Sequence, residues 1–521
     1  MANALFAASH PGAALLGVSV TFVVALLGWC ILSYVSSPLR KYPGPWLAGW
    51  TNLWRFALVV RKQYPWTIKR LHETYGPVVR IGPNTLDLDL PELAKTIYGT
   101  DGKWVKTRFY NVNSALVDGR IVYNIFSTTD RAEHARMKRP VAKFYSPGAV
   151  LAMEPLVDAV LSDLCRHLEA RFIDNGNGDK ECDLGSWIAF CAWDVVGATT
   201  FSEDFRYMAE GCDHDETMAI ADKSIEYLSL IGQIPWLDSL LDKNPVVRLG
   251  PPNLANATAI AVEHIARRTQ GRDANYDPEV PDYLQHYLKA QRERPEAVRD
   301  EFVIQYVLVN LVAGADTTAN TIRAILYFAL RNRPVWERLC AEVRKAPWEG
   351  KVAPYNVAKG LPYLDAVVRE SIRLHPGVSM LLERRVPPSG LVLPDGSFVP
   401  PGTEVGINPY VAGRNKSVYG DDADEFRPER WLPSDGETAT SPSYEARLKR
   451  FNAADVAFGG GSHICMGRHF AFVEVYKMVA TLLRHYDIAL ADPTKEWWVA
   501  GVWFPRQRGI ICRLRRRGSA E

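Results

Sequence analysis

An uncharged apolar segment near the start of the chain constrains its fold more than any other feature. Residues 13–35 read AALLGVSVTFVVALLGWCILSYV and contain no charged side chain. A helix needs about 20 apolar residues to cross a bilayer, and a helix satisfies its backbone groups without outside partners. No Lys or Arg precedes the segment, whereas Arg40 and Lys41 follow it. We therefore expect a lumenal tail over residues 1–12, a retained transmembrane helix over residues 13–35, and a cytoplasmic body after it.

The rest of the chain has the composition of a near-neutral globular protein. Its 61 basic and 59 acidic residues give a net charge of +2, so no overall field attracts nucleic acid or another acidic polymer. The eight cysteines form no CxxC pair, which fits a reducing compartment and weakens a structural zinc site. A hydrophobic fraction of 47% is ample for a large core and an apolar cavity.

Proline and helix-forming patterns organise the body. Three prolines predict a stiff, extended tether over residues 36–47. From about residue 130 to 375, apolar residues recur three and four positions apart, which predicts helices. No composition break or flexible linker interrupts residues 48–521. We predict a single α+β, mostly helical domain there.

Strand patterns are confined to short segments. After a turn at residues 82–84, Leu86, Leu88 and Leu90 alternate with Asp87 and Asp89, which predicts a hairpin with one apolar face. Two more strand segments stand near the end of the chain, around a turn predicted at Pro505 to Arg508. These segments predict small sheets beside the helical body.

A glycine-rich stretch, FGGGSHICMG, runs from Phe458 to Gly467. Glycine lets the backbone approach a ligand closely. A helical pattern follows, so Cys465 is expected near a helix amino terminus, where backbone N–H groups favour a thiolate that serves as nucleophile or metal ligand. A nucleotide-binding GxGxxG from Gly459 fails, because Ile464 stands where the last glycine is needed. From this stretch alone, an inert buried cysteine in a glycine turn remains the alternative.

Polar residues also interrupt a long apolar helix pattern in NLVAGADTTANTI, from Asn310 to Ile322. A buried carboxylate at Asp316, beside the hydroxyls of Thr317 and Thr318, is costly unless it is used or satisfied. The alternative is a kinked helix in which threonine bonds back to the preceding turn.

Two charged segments complete the set. ESIR places Glu370 and Arg373 on one helical face, and FRPERW follows at Phe426 to Trp431 with Arg430. A Glu-x-x-Arg pair is ordinarily a solvated helix pair that contributes a few tenths of a kcal/mol.

Together, these segments resemble the cytochrome P-450 family of haem-thiolate monooxygenases. Phe458, Gly461, Cys465 and Gly467 match the family's haem-binding loop, and His463 stands where the family usually carries arginine. The resemblance covers the chain after Trp46 and is closest to fungal biosynthetic members of the pisatin-demethylase-like kind. It implies the helix-rich cytochrome P-450 fold with small β-sheets, behind one N-terminal transmembrane helix.

The resemblance also implies roles for individual residues. It implies haem b with Cys465 as axial iron ligand. Thr317 would hydrogen-bond bound dioxygen, and Asp316 would relay protons through water. The implied charge network consists of Glu370, Arg373 and Arg430, and it holds the segment from Phe458 to Gly467, which we call the cysteine loop. The implied haem contacts are His134, Lys138, Arg384 (with Arg385 as a fallback), Phe458, Gly461, His463 and Gly467.

The implied substrate pocket is apolar, which suggests a lipophilic small molecule. Its expected residues are Val312, Ala313, Val378 and Trp503. Electrons would come from NADPH through a separate NADPH–cytochrome P-450 reductase, with cytochrome b5 as a possible second donor. A basic face for the acidic reductase is expected at Arg136, Arg139, Lys449 and Arg450.

The function implied is oxidation of that substrate with O2 in fungal secondary-metabolite biosynthesis, by an enzyme anchored once in the endoplasmic reticulum membrane. Two alternatives remain at this point: a haem-thiolate isomerase or dehydratase that does not use O2, and a non-enzymatic haem- or ligand-binding membrane protein.

Overall fold

The structure is a computed structural model that describes residues 31–174, 180–251 and 254–517, with positions 17, 20, 21, 24, 25 and 28. The predicted lumenal tail lies outside these residues, as does most of the predicted transmembrane helix; residues 31–36 at its end are helical. Two described helices, Leu184–Phe201 and Asp300–Arg331, are long and apolar enough to cross a membrane. The apolar window of the first is 89% buried inside the protein, as expected of a core helix.

Helices dominate the described part of the chain, as the sequence predicted. Those of eight or more residues are α1 (Leu53–Val60), α2 (Tyr64–Tyr75), α3 (Arg131–Val141), α4 (Glu154–Leu168), α5 (Leu184–Phe201), α6 (Thr217–Ile231), α7 (Ala255–Thr269), α8 (Tyr283–Glu293), α9 (Asp300–Arg331), α10 (Arg333–Lys345), α11 (Pro362–Leu374), α12 (Pro442–Ala454) and α13 (Arg468–His485). Shorter helices are Ala94–Ile97, Pro147–Leu151, Tyr207–Glu210, Tyr355–Lys359, Pro409–Ala412 and Lys416–Tyr419.

The strands are short and form small sheets. They are β1 (Val78–Gly82), β2 (Thr85–Leu88), β3 (Val105–Lys106), β4 (Ala115–Val117), β5 (Arg120–Val122), β6 (Glu181–Asp183), β7 (Arg384–Arg385), β8 (Leu391–Val392), β9 (Phe398–Val399), β10 (Glu404–Gly406), β11 (Tyr486–Leu490), β12 (Trp498–Ala500), β13 (Arg506–Arg508) and β14 (Ile511–Arg516). A five-stranded sheet has the order β1-β2-β10-β7-β3, and a three-stranded sheet has the order β11-β14-β6. The pairs β12-β13, β4-β5 and β8-β9 stand apart.

Side-chain caps begin two helices that border the site. Asp130 accepts the N–H of Glu133 at 2.7 Å at the start of α3, and Asp183 accepts the N–H of Ser186 at 3.1 Å at the start of α5. Each cap satisfies a backbone donor that the helix itself leaves free.

The hydrophobic core has two main parts. The larger surrounds α5, α9 and α13, and the smaller surrounds the five-stranded sheet. Val312, in the middle of α9, packs against both. The central turns of α9 therefore lie at the junction of the two cores.

Three local expectations differ from the structure. Residues Pro38–Lys41 and Trp46–Gly49 form 3-10 turns rather than an extended tether, because the fixed φ of proline also suits the first position of a helical turn. Asp87 is buried rather than on a polar face, because its carboxylate contacts His72 Nε2 at 3.0 Å. The turn predicted at Pro505 to Arg508 is wrong: Arg506–Arg508 is strand β13, which pairs with β12.

Candidate functional site

An internal cavity of about 270 Å³ lies between α9 and the glycine-rich loop. Several sequence-predicted residues line it: His134, Lys138, Val312, Ala313, Thr317, Phe458, His463, Cys465, Gly467 and Trp503. The structure therefore brings together residues from α3, from α9, from the cysteine loop and from the segment before β13. Val378 instead packs against the sheet-side core.

Cys465 faces this cavity at the end of the loop. Its backbone N–H donates to Phe458 O at 2.9 Å, which closes the turn, and its side chain lies within the protein but is exposed to the cavity. Burial in the protein raises the pKa of the thiol, although the N–H groups of Gly467 and Arg468 and the charge of Lys138 act against it. The expectation of a thiolate favoured by the helix terminus is thus only partly met. A metal ion bound by Cys465 would supply the remaining stabilisation of its thiolate.

Gly461 and Gly467 of the loop lack a side chain for different structural reasons. Gly461 has φ +56°, and a Cβ there would stand 1.8 Å from the carbonyl oxygen of Tyr98. Its lack of a side chain is required by packing within the protein, rather than by approach to a ligand. Gly467 differs, because a Cβ there would meet nothing within 4 Å and the residue lines the cavity. Gly467 thus leaves room beside Cys465.

Lys106 and Lys138 line one end of the cavity, and Arg384, which does not line it, is the strand partner of Lys106. Lys106 Nζ donates to Phe126 O at 2.7 Å, Lys138 Nζ donates to Ser462 O at 2.6 Å, and Arg384 Nη1 donates to Glu383 O at 2.8 Å. Arg384 Nη1 also donates to the Tyr110 hydroxyl at 3.4 Å, and none of the three cations pairs with a carboxylate in the described part of the chain. Burial lowers the pKa of Lys106 well below its usual value, and the charges of Arg384 and Lys138 lower it further. Buried cations without anions are costly, so this end of the cavity suits a ligand that carries negative charge.

Lys106 was not predicted from the sequence. It stands in the two-residue strand β3, which pairs with β7 so that Lys106 faces Arg384. No sequence motif marks it, because other charged and polar residues, Lys103, Thr107 and Arg108, stand close to it in the chain.

Two neutral histidines stand among these cations. Burial first, and then the charge of Lys106, lower the pKa of His134 to about 3 and lower that of His463 still further. The Nδ1 atom of His463 is buried and has no hydrogen-bond partner among the described residues. His463 therefore brings no fixed charge to the position at which the sequence resemblance leads us to expect arginine.

The polar residues of α9 point in different directions. Thr317 lines the cavity, and its hydroxyl donates to Ala313 O at 2.7 Å. This back-bonding was the alternative expected from the sequence, yet α9 continues unbroken to Arg331. Asp316 points away, and its Oδ1 accepts the indole N–H of Trp193 at 3.1 Å.

The other carboxylate oxygen of Asp316, Oδ2, is buried and has no hydrogen-bond partner among the described residues. Burial raises the pKa of Asp316, against the opposing charge of Arg506 and the hydrogen bond from Trp193. A carboxyl in this state holds a proton more readily than one in water.

The structure also brings together Glu370, Arg373 and Arg430. Glu370 Oε1 lies 2.7 Å from Arg373 Nη2 and 2.9 Å from Arg430 Nε, and Trp431 Nε1 donates to Oε2 at 2.8 Å. Burial raises the pKa of Glu370, but the hydrogen bond and charge of Arg373 and the charge of Arg430 outweigh it, so that the pKa is lowered. The contribution of Trp431 was not predicted. A second cavity, of about 320 Å³, borders both Arg373 and Phe458.

Comparison with known proteins identifies the family. A family model described as cytochrome P-450 matches residues 43–512. The cytochrome P-450 monooxygenase cfoH of Aspergillus candidus is 43% identical over 510 residues, covering 98% of this chain and 94% of the relative. A cytochrome P-450 monooxygenase of Aspergillus terreus is 36% identical over 475 residues, covering 88% and 93%. The monooxygenase cicH of Emericella nidulans is 33% identical over 485 residues, covering 92% and 94%.

Proposed function

The chain belongs to the cytochrome P-450 family and is a monooxygenase of fungal secondary metabolism; from this premise we propose how its own residues serve the reaction. The family implies haem, and the donor set of the cavity fits it. Cys465 would hold the haem iron through its thiolate, and Lys106, Lys138 and Arg384 would hold the anionic side chains of the porphyrin. When bound, haem supplies the activation of dioxygen.

The residues around Cys465 bind and orient the other reactants. Val312, Ala313 and Trp503 give the cavity an apolar wall that suits a lipophilic substrate and excludes water. The Thr317 hydroxyl lies on the same wall, so that it can donate a hydrogen bond into the cavity after release from Ala313 O. Asp316, directly before it in the chain, holds a proton for delivery through water.

Glu370, Arg373 and Arg430 act as a structural network rather than a catalytic one. Their buried contacts join α11 to the segment that ends at Trp431, and they stand beside the cavity that Phe458 borders. We propose that these three residues support the cysteine loop.

Electrons reach the site from NADPH through the separate reductase, with cytochrome b5 as a second donor. Arg139, Lys449 and Arg450 are exposed and suit an acidic partner. Arg136 is weaker in this role, because its guanidinium pairs with Glu133 at 2.6 Å. The enzyme would be anchored in the endoplasmic reticulum membrane by residues 13–35, with residues 48–521 as its cytoplasmic catalytic domain.

The observation that carries the proposal is the cavity that sets Cys465 opposite Ala313 and Thr317 of α9. The test is the absorption spectrum of the full-length protein, reduced and treated with carbon monoxide. We expect the Soret band at the family's thiolate position, and substrate-dependent NADPH consumption with a reductase present. A folded haem protein without that band would contradict the assignment of Cys465. Product formed without O2 would favour an isomerase or dehydratase.

A further inference from the structure

The second cavity, of about 320 Å³, is not used by any step of the reaction described above. Its lining comes from α11, α12, α13 and the cysteine loop, and Phe458 borders both this cavity and the one at Cys465. Its volume is at the lower end of the range of about 300–1,000 Å³ that is usual for small-molecule sites. The cavity is therefore large enough for a ligand of one or two rings.

Aromatic rings form much of the wall of the second cavity. Those that line it are Tyr419, Trp431, Phe458, Phe472 and Tyr476. The ring centroid of Phe472 lies 5.3 Å from that of Phe458 and 6.1 Å from that of Tyr476, and the centroids of Tyr419 and Trp431 are 6.4 Å apart. Aromatic rings pack well on one another in offset-stacked or edge-to-face arrangements. The wall therefore favours a planar aromatic ligand.

The cations that line this cavity are held by carboxylates of the protein. Lys359 and Arg369 both contact Asp365, Arg369 through its Nε at 2.6 Å, and Arg373 belongs to the buried charge network described above. Asp365 serves two cations, so that one positive charge is left over, and it matches the one negative charge of Asp455 in the lining. The lining is thus close to neutral, which disfavours a charged ligand.

Asp455 presents a carboxylate to the second cavity. Its Oδ1 accepts the N–H of Ala457 at 2.8 Å, and its carboxylate has no cation as a direct partner among the residues that the structure describes. The side chain is exposed, yet burial in the surrounding protein raises its pKa, against the N–H of Ala457 and the charge of Arg369. Both observations fit a carboxylate that faces an internal cavity. It is free to accept a hydrogen bond from a ligand.

Tyr419 supplies a second polar group. Its side chain is only 5% exposed, and its hydroxyl has no hydrogen-bond partner within the described ranges of the chain. Burial raises the pKa of Tyr419 and the charge of Asp455 raises it further, against the charge of Arg373. A buried hydroxyl without a partner is costly, and a ligand that accepts its proton would remove that cost. The two groups therefore match a ligand hydroxyl, which can donate to a carboxylate and accept from a hydroxyl at once.

We propose that the second cavity is a binding site for a small neutral phenol, whose hydroxyl donates a hydrogen bond to the Asp455 carboxylate and accepts one from the Tyr419 hydroxyl. The ring of the phenol packs on the aromatic wall. The site is separate from that of the reacting substrate, because Cys465 does not line it. Phe458 joins the two sites: its carbonyl oxygen accepts the N–H of Cys465 at 2.9 Å, so a ligand in the second cavity contacts the cysteine loop.

The test is a calorimetric titration of the full-length haem protein with phenol, after an azole that binds the haem iron has filled the first cavity. We expect phenol to bind more tightly than toluene, which has a similar size but no hydroxyl, and more tightly than benzylamine or benzoate. Asp455→Asn should weaken phenol binding about tenfold and Tyr419→Phe about fivefold, as expected for hydrogen bonds to a charged and to a neutral group. The matched control is Asp435→Asn, which changes an exposed carboxylate outside the cavity and should leave phenol binding unchanged.

Photolabelling by a phenol that carries a diazirine provides a second measurement, which depends neither on the folding of the variants nor on the iron ligand. Labelled peptides should include residues 419–431 or 452–458, and excess phenol should suppress the labelling. The proposal is wrong if benzylamine or benzoate binds more tightly than phenol, if both variants bind phenol as tightly as wild type, or if all labels lie elsewhere. Failure of the proposed function would appear separately, in the carbon monoxide spectrum of the wild type.

Discussion

The imidazole ring of His463 packs against that of His134, with the ring centroids 4.1 Å apart. Burial and the surrounding cations lower the pKa of both, so the pair is neutral at physiological pH. The protein thus places uncharged rings between Lys106, Lys138 and Arg384, at the end of the cavity assigned to the anionic groups of haem.

His463→Arg should strengthen haem retention. A fixed cation adds a charge-assisted hydrogen bond to an anionic ligand, which corresponds to about tenfold slower haem loss. The reduction potential should rise, because positive charge favours the form with one more electron. Haem transfer to an acceptor protein and a redox titration measure the two effects, and His463→Gln is the uncharged control. If the rate of haem loss and the reduction potential both stay at their wild-type values, the presence of His463 in place of arginine affects neither property.

Lys106→Met should distinguish the loss of stability caused by the buried charge from the contribution of that charge to haem binding. Without haem, the variant should be more stable than wild type, because Lys106 is buried with only a carbonyl acceptor. With haem, we expect faster haem loss and a lower reduction potential, and Lys106→Arg should restore both. Thermal unfolding of the two forms and haem transfer provide the measurements. Unchanged haem loss would remove Lys106 from the binding set.

Glu370→Gln should be severely destabilising. It leaves Arg373 and Arg430 buried without their carboxylate, and breaking a buried ion pair costs about 3–5 kcal/mol. Because the pKa of Glu370 is lowered by folding, its stabilisation is present above the unfolded pKa, about 4.3, and is lost as pH falls through the folded value.

Denaturant unfolding of Glu370→Gln at neutral and acidic pH measures this loss. The control is Glu337→Gln, which removes an exposed pair with Arg333 and should change stability by less than about 1 kcal/mol. Equal effects of the two substitutions would contradict the assigned role of the network.

Glu474 is expected to make stability depend on pH in the opposite direction to Glu370. Both of its carboxyl oxygens are buried and have no hydrogen-bond partner among the described residues, and burial raises its pKa well above the usual value. The folded state therefore keeps a proton that the unfolded state loses above its pKa of about 4.3, so stability falls as pH rises, by about 1.4 kcal/mol per unit.

Glu474→Gln should remove this dependence and become more stabilising, relative to wild type, as pH increases from 5 to about 8. Denaturant midpoints across that range provide the measurement, with the exposed Glu349→Gln as control. A stability difference that does not change with pH would show that Glu474 has an unobserved partner.

Thr317→Ala should uncouple electron use from product formation. The hydroxyl on the cavity wall is lost while the apolar shape is largely kept, so we expect product per NADPH to fall about tenfold. Peroxide and product assays measure the ratio, and Thr317→Ser should restore it. If Thr317→Ala keeps the wild-type ratio of product to NADPH, the hydroxyl has no role in the reaction beyond its hydrogen bond to Ala313 O within the helix.

Local patterns in the sequence were sufficient for the family, the helix-rich body and the glycine-rich loop that brings Cys465 to the cavity. Each depends on residues close together in the chain, such as the spacing of Phe458, Gly461 and Cys465. The same kind of information was misleading at residues 505–508, where a strand follows proline because β12 supplies its partner.

The amino-acid sequence by itself determined the family and pointed to several residues that line the cavity, because these motifs are encoded by short-range spacing. Only the tertiary structure decided which charges stand unpaired. Lys106 faces the cavity because β3 pairs with β7, and Gly461 must lack a side chain because of Tyr98. Pairing, desolvation and charge interaction are set by neighbours that are distant in the chain, and no local pattern records them.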